Sequence, residues 1–187
     1  MSAEPTIGVS VMTEIATLDR VLSAHAAGLG GDFVGYRNHA YRVANLCIAL
    51  SPTGRDQIEK IAVATAFHDL GIWTDGTFDY LGPSVRLARA YLTESGRPEW
   101  IAEVERTILE HHKLSASGAD PSWLVEPFRK ADWIDVSRGT LTFGLSNRTV
   151  GRILSTWPSA GFHKRLFQLA VARLWTNPLT PLPMLKR

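Results

Sequence analysis

The stretch ATAFHDLGIW, residues 64–73, ends an apolar helical run by setting a histidine beside an aspartate. Upstream, Ile58, Ile61, Thr65 and His68 fall on one stripe of the helix predicted by RDQIEKIAVATAFHD. His68 therefore points the way the apolar side chains point. Asp69 follows about 100° further round the helix, close enough for both side chains to reach a single point. Burying an imidazole and a carboxylate together is unfavourable unless each finds a partner. Fold and chemistry both turn on where those partners come from.

Outward from this stretch, helical periodicity continues and no alternating strand pattern appears. RNHAYRVANLCIAL places His39, Val43, Leu46 and Leu50 on one face, before Ser51-Pro52 and Gly54 end that helix. TEIATLDRVLSAHAAGL repeats Ile15, Leu18, Val21 and Leu22 and fades into glycines. Beyond the aromatic loop LGIWTDGTFDYLGP come SVRLARAYLTESG and RPEWIAEVERTILEHHK, the latter with Pro98 at a favourable helix start. Pro127 interrupts WLVEPFRKADWIDVSRG, so a helix is expected there from Phe128 to Ser137. NRTVGRILSTW and FHKRLFQLAVARLW complete a set of seven or eight helices. The expectation is one all-α domain over residues 1–187, a compact multi-helix bundle. Its motif-bearing core spans about 36–137, helices over 147–176 pack on it, and a proline-rich tail over 177–187 runs extended.

Composition narrows the function classes. A chain of 187 residues can bury a real core without staples. The single cysteine, Cys47, excludes an internal disulfide and a cysteine-rich zinc site, and within VANLCIAL it reads as a small core residue. No apolar run reaches membrane-spanning length and the N-terminus lacks a signal-peptide layout, so a cytoplasmic protein with no membrane partner is expected. The net charge of +2 conceals a balance of −5 over residues 1–120 and +7 over 121–187. These charges are scattered, with no dense Lys/Arg run, which argues against nucleic acid and leaves a small anionic, phosphate-bearing substrate open. Homo-oligomerisation is left open.

The histidines and aspartates converge when helical faces are compared. His39 shares the apolar face of Val43 and Leu46. His111 and His112 extend the Ile101, Val104, Ile108 face, and Asp132 lies one turn beyond Phe128, on a face shared with Val136. Several helices thus bring imidazole or carboxylate inward, and a divalent cation supplies the charge and the acceptor that such a cluster lacks. Mixed nitrogen and oxygen donors suit manganese, iron, cobalt, nickel or zinc. His25 and His163 show no partner and read as bystanders.

Four local motifs carry a resemblance. HAYRVANLCIAL looks like an opening His-x-x-Arg-Val helix, AVATAFHDLGIW like a His-Asp helix followed by glycine, TILEHHK like a double-histidine segment, and FRKADWID like a closing Ala-Asp helix. In this order they resemble the HD-domain superfamily of metal-dependent phosphohydrolases. The resemblance implies an all-helical fold in which His39, His68, Asp69 and Asp132 bind one divalent transition metal. Asp69 would also bridge to a second ion where one is bound, and His111 and His112 would serve a weaker second ion or hydrogen-bond the substrate. Gly82 stands before Pro83 where cyclic-dinucleotide phosphodiesterases carry a histidine, and Ile72 stands where they carry a lysine. One firm ion is therefore expected, and not that activity.

The chemistry expected of such a site is hydrolysis of a small phosphorylated compound, a nucleotide among the candidates, by metal-activated water. Arg42, one turn beyond His39, and Lys113, next to the histidine pair, are the expected cations for phosphoryl oxygens, and Asp75 the expected general acid. The loop bearing Trp73, Asp75, Phe78, Asp79 and Tyr80 reads equally as a lid or as a packed cover. Related scaffolds also host hydratases or lyases, di-iron oxygenases and non-catalytic ligand-binding modules, and these are the alternatives.

Overall fold

A computed structural model describes residues 10–51, 54–179 and 184. All regular structure among them is helical. Eight helices are longer than two turns: α1 (Ala16–Ala24), α3 (Phe33–Leu50), α4 (Arg55–Phe67), α6 (Leu81–Glu94), α7 (Ile101–Glu110), α8 (Val125–Val136), α9 (Asn147–Thr156) and α10 (Phe162–Thr176). Single turns α2 (Ala26–Leu29) and α5 (Gly71–Thr74) lie between them. The all-α expectation holds. Of the tail expected over 177–187, residues 180–183 and 185–187 lie outside the described residues; Met184 does not stand clear of the body but is buried against Ile72 and Tyr80.

α3 is the axis of the bundle. It is buried nearly all round, from Tyr36 through Cys47, because α4, α8 and α9 each pack on a different side of it. α4 in turn packs on α1, α6 and α7, and α7 on α6 and α8. The main core draws Leu18 and Leu22 from α1, Leu46 from α3, Ile61 and Phe67 from α4, Ile108 from α7 and Phe128 and Ile134 from α8. Cys47 sits in this core, where burial raises its thiol far above the ordinary value, as fits a packing residue. No helix among the described residues is long and apolar enough to cross a membrane.

Two local features position the site. Directly after α4 the backbone tightens: Leu70 N–H bonds Phe67 O at 3.1 Å, and Ile72 N–H bonds Asp69 O at 3.0 Å. His68 still closes the α4 ladder through its N–H bond to Ala64 O at 2.9 Å, and the i to i−3 winding that follows carries Asp69 out of that ladder while keeping both inside the bundle. Gly71 follows because α6 comes too close for any side chain. A Cβ there would lie 2.6 Å from the carbonyl oxygen of Tyr80 and 2.9 Å from Pro83 Cβ. The Gly71 N–H donates to Ser84 Oγ at 3.1 Å.

Pro127 does not delay α8. It occupies the third position of the helix, where its missing N–H would have no intrahelical acceptor, so α8 begins at Val125. The inward face of α8 also differs from expectation. Asp132 shares it with Asp135, fully buried, and not with Val136, which is 38% exposed.

Candidate metal centre

His39 from the middle of α3, His68 and Asp69 from the end of α4, His111 from the end of α7 and Asp132 from α8 meet in the bundle interior. All five are buried. His39, His68 and Asp69 each bring one potential ligand atom within 4.8 Å of the others, and so do Asp69, His111 and His112. His39 Nε2 lies 3.6 Å from Asp69 Oδ2 and 3.8 Å from Asp132 Oδ1, and His68 Nε2 lies 3.5 Å and 3.9 Å from the same two atoms.

The outer ring nitrogens decide what the inner ones present. His39 Nδ1 donates to Asp135 Oδ2 at 2.7 Å, His68 Nδ1 to the Thr65 carbonyl at 2.9 Å, and His111 Nδ1 to the Ile108 carbonyl at 2.7 Å. Carbonyls and an ionised carboxylate only accept, so all three Nδ1 atoms carry a proton, and in the neutral rings all three Nε2 atoms turn lone pairs inward. Yet His39 Nε2 and His68 Nε2 are 2.9 Å apart. Two facing lone pairs repel at that distance unless a cation lies between them. Asp69 Oδ1, His111 Nε2 and both oxygens of Asp132 are likewise buried with no hydrogen-bond partner. Buried polar groups are seldom left this way, and a divalent cation among the donors satisfies them together. The residues fit a metal with mixed imidazole and carboxylate preference.

A proton partly fills that role. Burial alone would lower His39, but the Asp135 carboxylate bonded to Nδ1 and the nearby Asp69 carboxylate outweigh it and carry His39 up to about 9. Burial pushes its neighbour His68 down to about 3. His39 thus donates toward a neutral His68. Against the opposing effect of burial, the His68 and His111 rings hold Asp69 well below the carboxylate range, whereas burial pushes Asp132 up to about 7.

Other expected residues fall elsewhere. Arg42 does not reach the mouth of the site. It is buried with its guanidinium forked on Asp135, one bond running to Oδ1 from Nε and a 3.0 Å bond to Oδ2 from Nη2, and it also donates to the Trp157 carbonyl at 3.0 Å. Its role is to fix Asp135 behind His39. Asp75 is on the surface, paired with Arg86 at 2.7 Å, which holds its carboxyl below the ordinary value and unsuits it as a general acid. Lys113 directs its ammonium to Glu110 at 3.7 Å, and Glu110 itself serves Arg106 and Ser117 and orients no histidine.

Three neighbours of the cluster make contacts that the sequence did not reveal. Asp135 holds the Nδ1 proton of His39, and despite burial the His39 and Arg42 bonds keep it well below the carboxylate range. His163, expected to be a bystander, contacts the Asp135 carbonyl at 3.1 Å and Ser159 Oγ at 2.9 Å. Tyr80, buried under the 73–81 loop, places its hydroxyl 2.6 Å from His112 Nε2. Elsewhere in that loop Trp73 and Phe78 pack, Trp73 Nε1 donating to Asp32 at 2.9 Å and Phe78 lying against the cluster of Ile72, Tyr80 and Met184, whereas Thr74, Asp75, Gly76 and Asp79 are exposed. The signal for Asp135 was present in ADWID, as its seven-residue offset from Phe128 returns to the same helical face.

Comparison with curated proteins and with solved structures gave no match. One family model does match, that of the HD domain, over residues 36–137. This segment runs from Tyr36 in α3, three residues before the His-x-x-Arg-Val sequence, to Ser137 just past α8, taking in every residue of the buried cluster and more than half of the chain. The protein belongs to the HD domain family.

Proposed function

We propose that His39, His68, Asp69 and Asp132 bind one divalent transition metal and that the protein hydrolyses a small phosphorylated compound. The observation that carries the reading is the 2.9 Å approach of two imidazole Nε2 atoms whose protons are held on the far side of each ring. Membership in a family made up mostly of metal-dependent hydrolases supports it. When bound, a cation there lowers the pKa of a water and polarises a phosphoryl oxygen.

The chain's own residues do the positioning. Asp135, clamped by Arg42, and the Thr65 carbonyl set the orientation of His39 and His68, so the donor atoms need little rearrangement. Asp69, between the two histidine groups, presents one oxygen to each. Packed helices on all sides keep bulk water from the carboxylates. The site opens beside His112, whose side chain is 17% exposed while those of its neighbours are nearly or fully buried. An anionic substrate approaches from there.

The test is a panel of phosphomonoesters, nucleotides and cyclic nucleotides supplemented with manganese, cobalt or nickel. Phosphate release is expected with at least one pair and is abolished in Asp69→Ala. Release unchanged in Asp69→Ala would overturn the reading, and oxygen uptake dependent on ferrous iron, without phosphate release, would replace it with the oxygenase alternative.

A further inference from the structure

His112 differs from the other histidines of the cluster in what stands behind it. His39, His68 and His111 each back onto an acceptor, which fixes the proton on the outer nitrogen and a lone pair on the inner one. His112 backs onto the hydroxyl of Tyr80, which can donate. The 2.6 Å separation lies within the range of O–H donors and is shorter than the roughly 2.7–3.2 Å usual for N–H donors. The short contact is best met by Tyr80 donating to Nε2. In the neutral ring the proton then resides on Nδ1, which points inward, 3.4 Å from Asp132 Oδ2. A lone pair there would face an ionised Asp132 oxygen unfavourably, so with Asp132 ionised both ends of the ring agree on one tautomer.

Tyr80 is held firmly enough to impose this choice. Its ring is 1% exposed and packs with Ile72 and Met184. Its carbonyl accepts from Ser84 N–H at 2.9 Å and rests on Gly71, the glycine of the His-Asp segment. We propose that Tyr80 and His112 form a donor arm of the site: Tyr80 fixes His112 in the Nδ1–H tautomer, and His112 presents a hydrogen-bond donor, not a metal ligand, to an oxygen of an anionic substrate. Of the two candidate ligand groups, the one containing His112 then lacks a third lone pair, and the centre holds one ion. Tyr80 is a positioning residue, acting through His112.

The inference refines the site of the proposed function and rests on that reading only in the second arm of its test. In the first arm, metal-free protein labelled with nitrogen-15 in histidine is read by long-range proton–nitrogen correlation, with His112 assigned from its loss in His112→Gln. The Nδ1–H tautomer is expected in wild type, with a shift toward a tautomer mixture in Tyr80→Phe, which keeps the ring and so the packing. In the second arm Zn2+ is titrated into each variant. Affinity in His112→Gln is expected within ~3-fold of wild type, whereas His68→Gln loses ~100-fold or more, at or beyond the upper end for disturbing even an outer-shell partner. An Nε2–H His112 in wild type, a spectrum unmoved by Tyr80→Phe, or a loss in His112→Gln equal to that in His68→Gln would overturn the proposal. Unchanged Zn2+ affinity in His68→Gln would instead sink the metal reading, and the tautomer would still decide this one.

Discussion

At the scale of single residues, the site is governed by which nitrogen of each ring holds its proton. In the metal-free protein His39 is raised to about 9, so its contribution to stability is fully present below the unfolded value near 6.5 and is lost as pH rises through about 9. A metal must displace that proton. Affinity for Zn2+ or Mn2+ is therefore expected to rise about tenfold per pH unit between about 7 and 9 and then level off. Below about 7, where burial leaves Asp132 protonated as well, the slope steepens toward two protons. Calorimetric titration across pH 6 to 9.5 checks this, and a pH-independent affinity would contradict it. Asp135→Asn keeps the shape but leaves the buried Arg42 guanidinium without its counter-charge, and a loss of about 3–5 kcal/mol in urea unfolding is expected, with metal affinity reduced about 10- to 100-fold. Asp69 and Asp132 were legible in the sequence because each sits in a motif on an inward helical face. Arg42 and Asp135 were not, because an arginine one turn from a ligand reads as a surface cation until α8 is seen packed on α3 with a carboxylate waiting.

At the scale of elements, the join from α4 through α5 to α6 carries the greatest constraint. The tightened turn at His68 and Asp69, the bare Cα of Gly71 and the Ser84 hydroxyl form one interlocked corner. Gly71→Ala forces a methyl against the Tyr80 carbonyl, with a destabilisation of about 1–3 kcal/mol expected from overpacking. Ser84→Ala removes only the acceptor for the Gly71 N–H and is expected to cost about 1–2 kcal/mol. Urea unfolding of both variants measures the difference, and a neutral Gly71→Ala would show that the corner is not tight. Periodicity placed the long helices correctly because their apolar stripes are strong. It could not place α5, a single turn inside an aromatic loop, nor start α8 ahead of Pro127, since a proline in the first helical turn breaks no bond that would otherwise form.

At the scale of the whole molecule, the cluster gathers potential ligand atoms from α3, from the end of α4 and from α8, so a cation bound as proposed would cross-link helices distant in sequence. Binding only the folded state, at 100 times its dissociation constant, it is expected to add about 2.7 kcal/mol of stability. A chelator should therefore lower the thermal midpoint of the wild type and leave that of His68→Ala unchanged; equal shifts in both would argue against a metal held by this cluster. The helical bundle and the inward convergence of His39, His68, Asp69 and Asp132 could be read from the chain because apolar faces and the order of these residues are written along single helices. The supports from α9, α10 and the tail could not, because the contacts of Trp157, His163 and Met184 exist only after those segments fold back on the core. The central claim is a metal held among these helices. Metal analysis of purified wild type beside His68→Ala and Asp69→Ala tests it most directly. The account expects close to one transition-metal ion per chain in wild type and little in either variant; no metal in wild type, or equal content in all three, would contradict it.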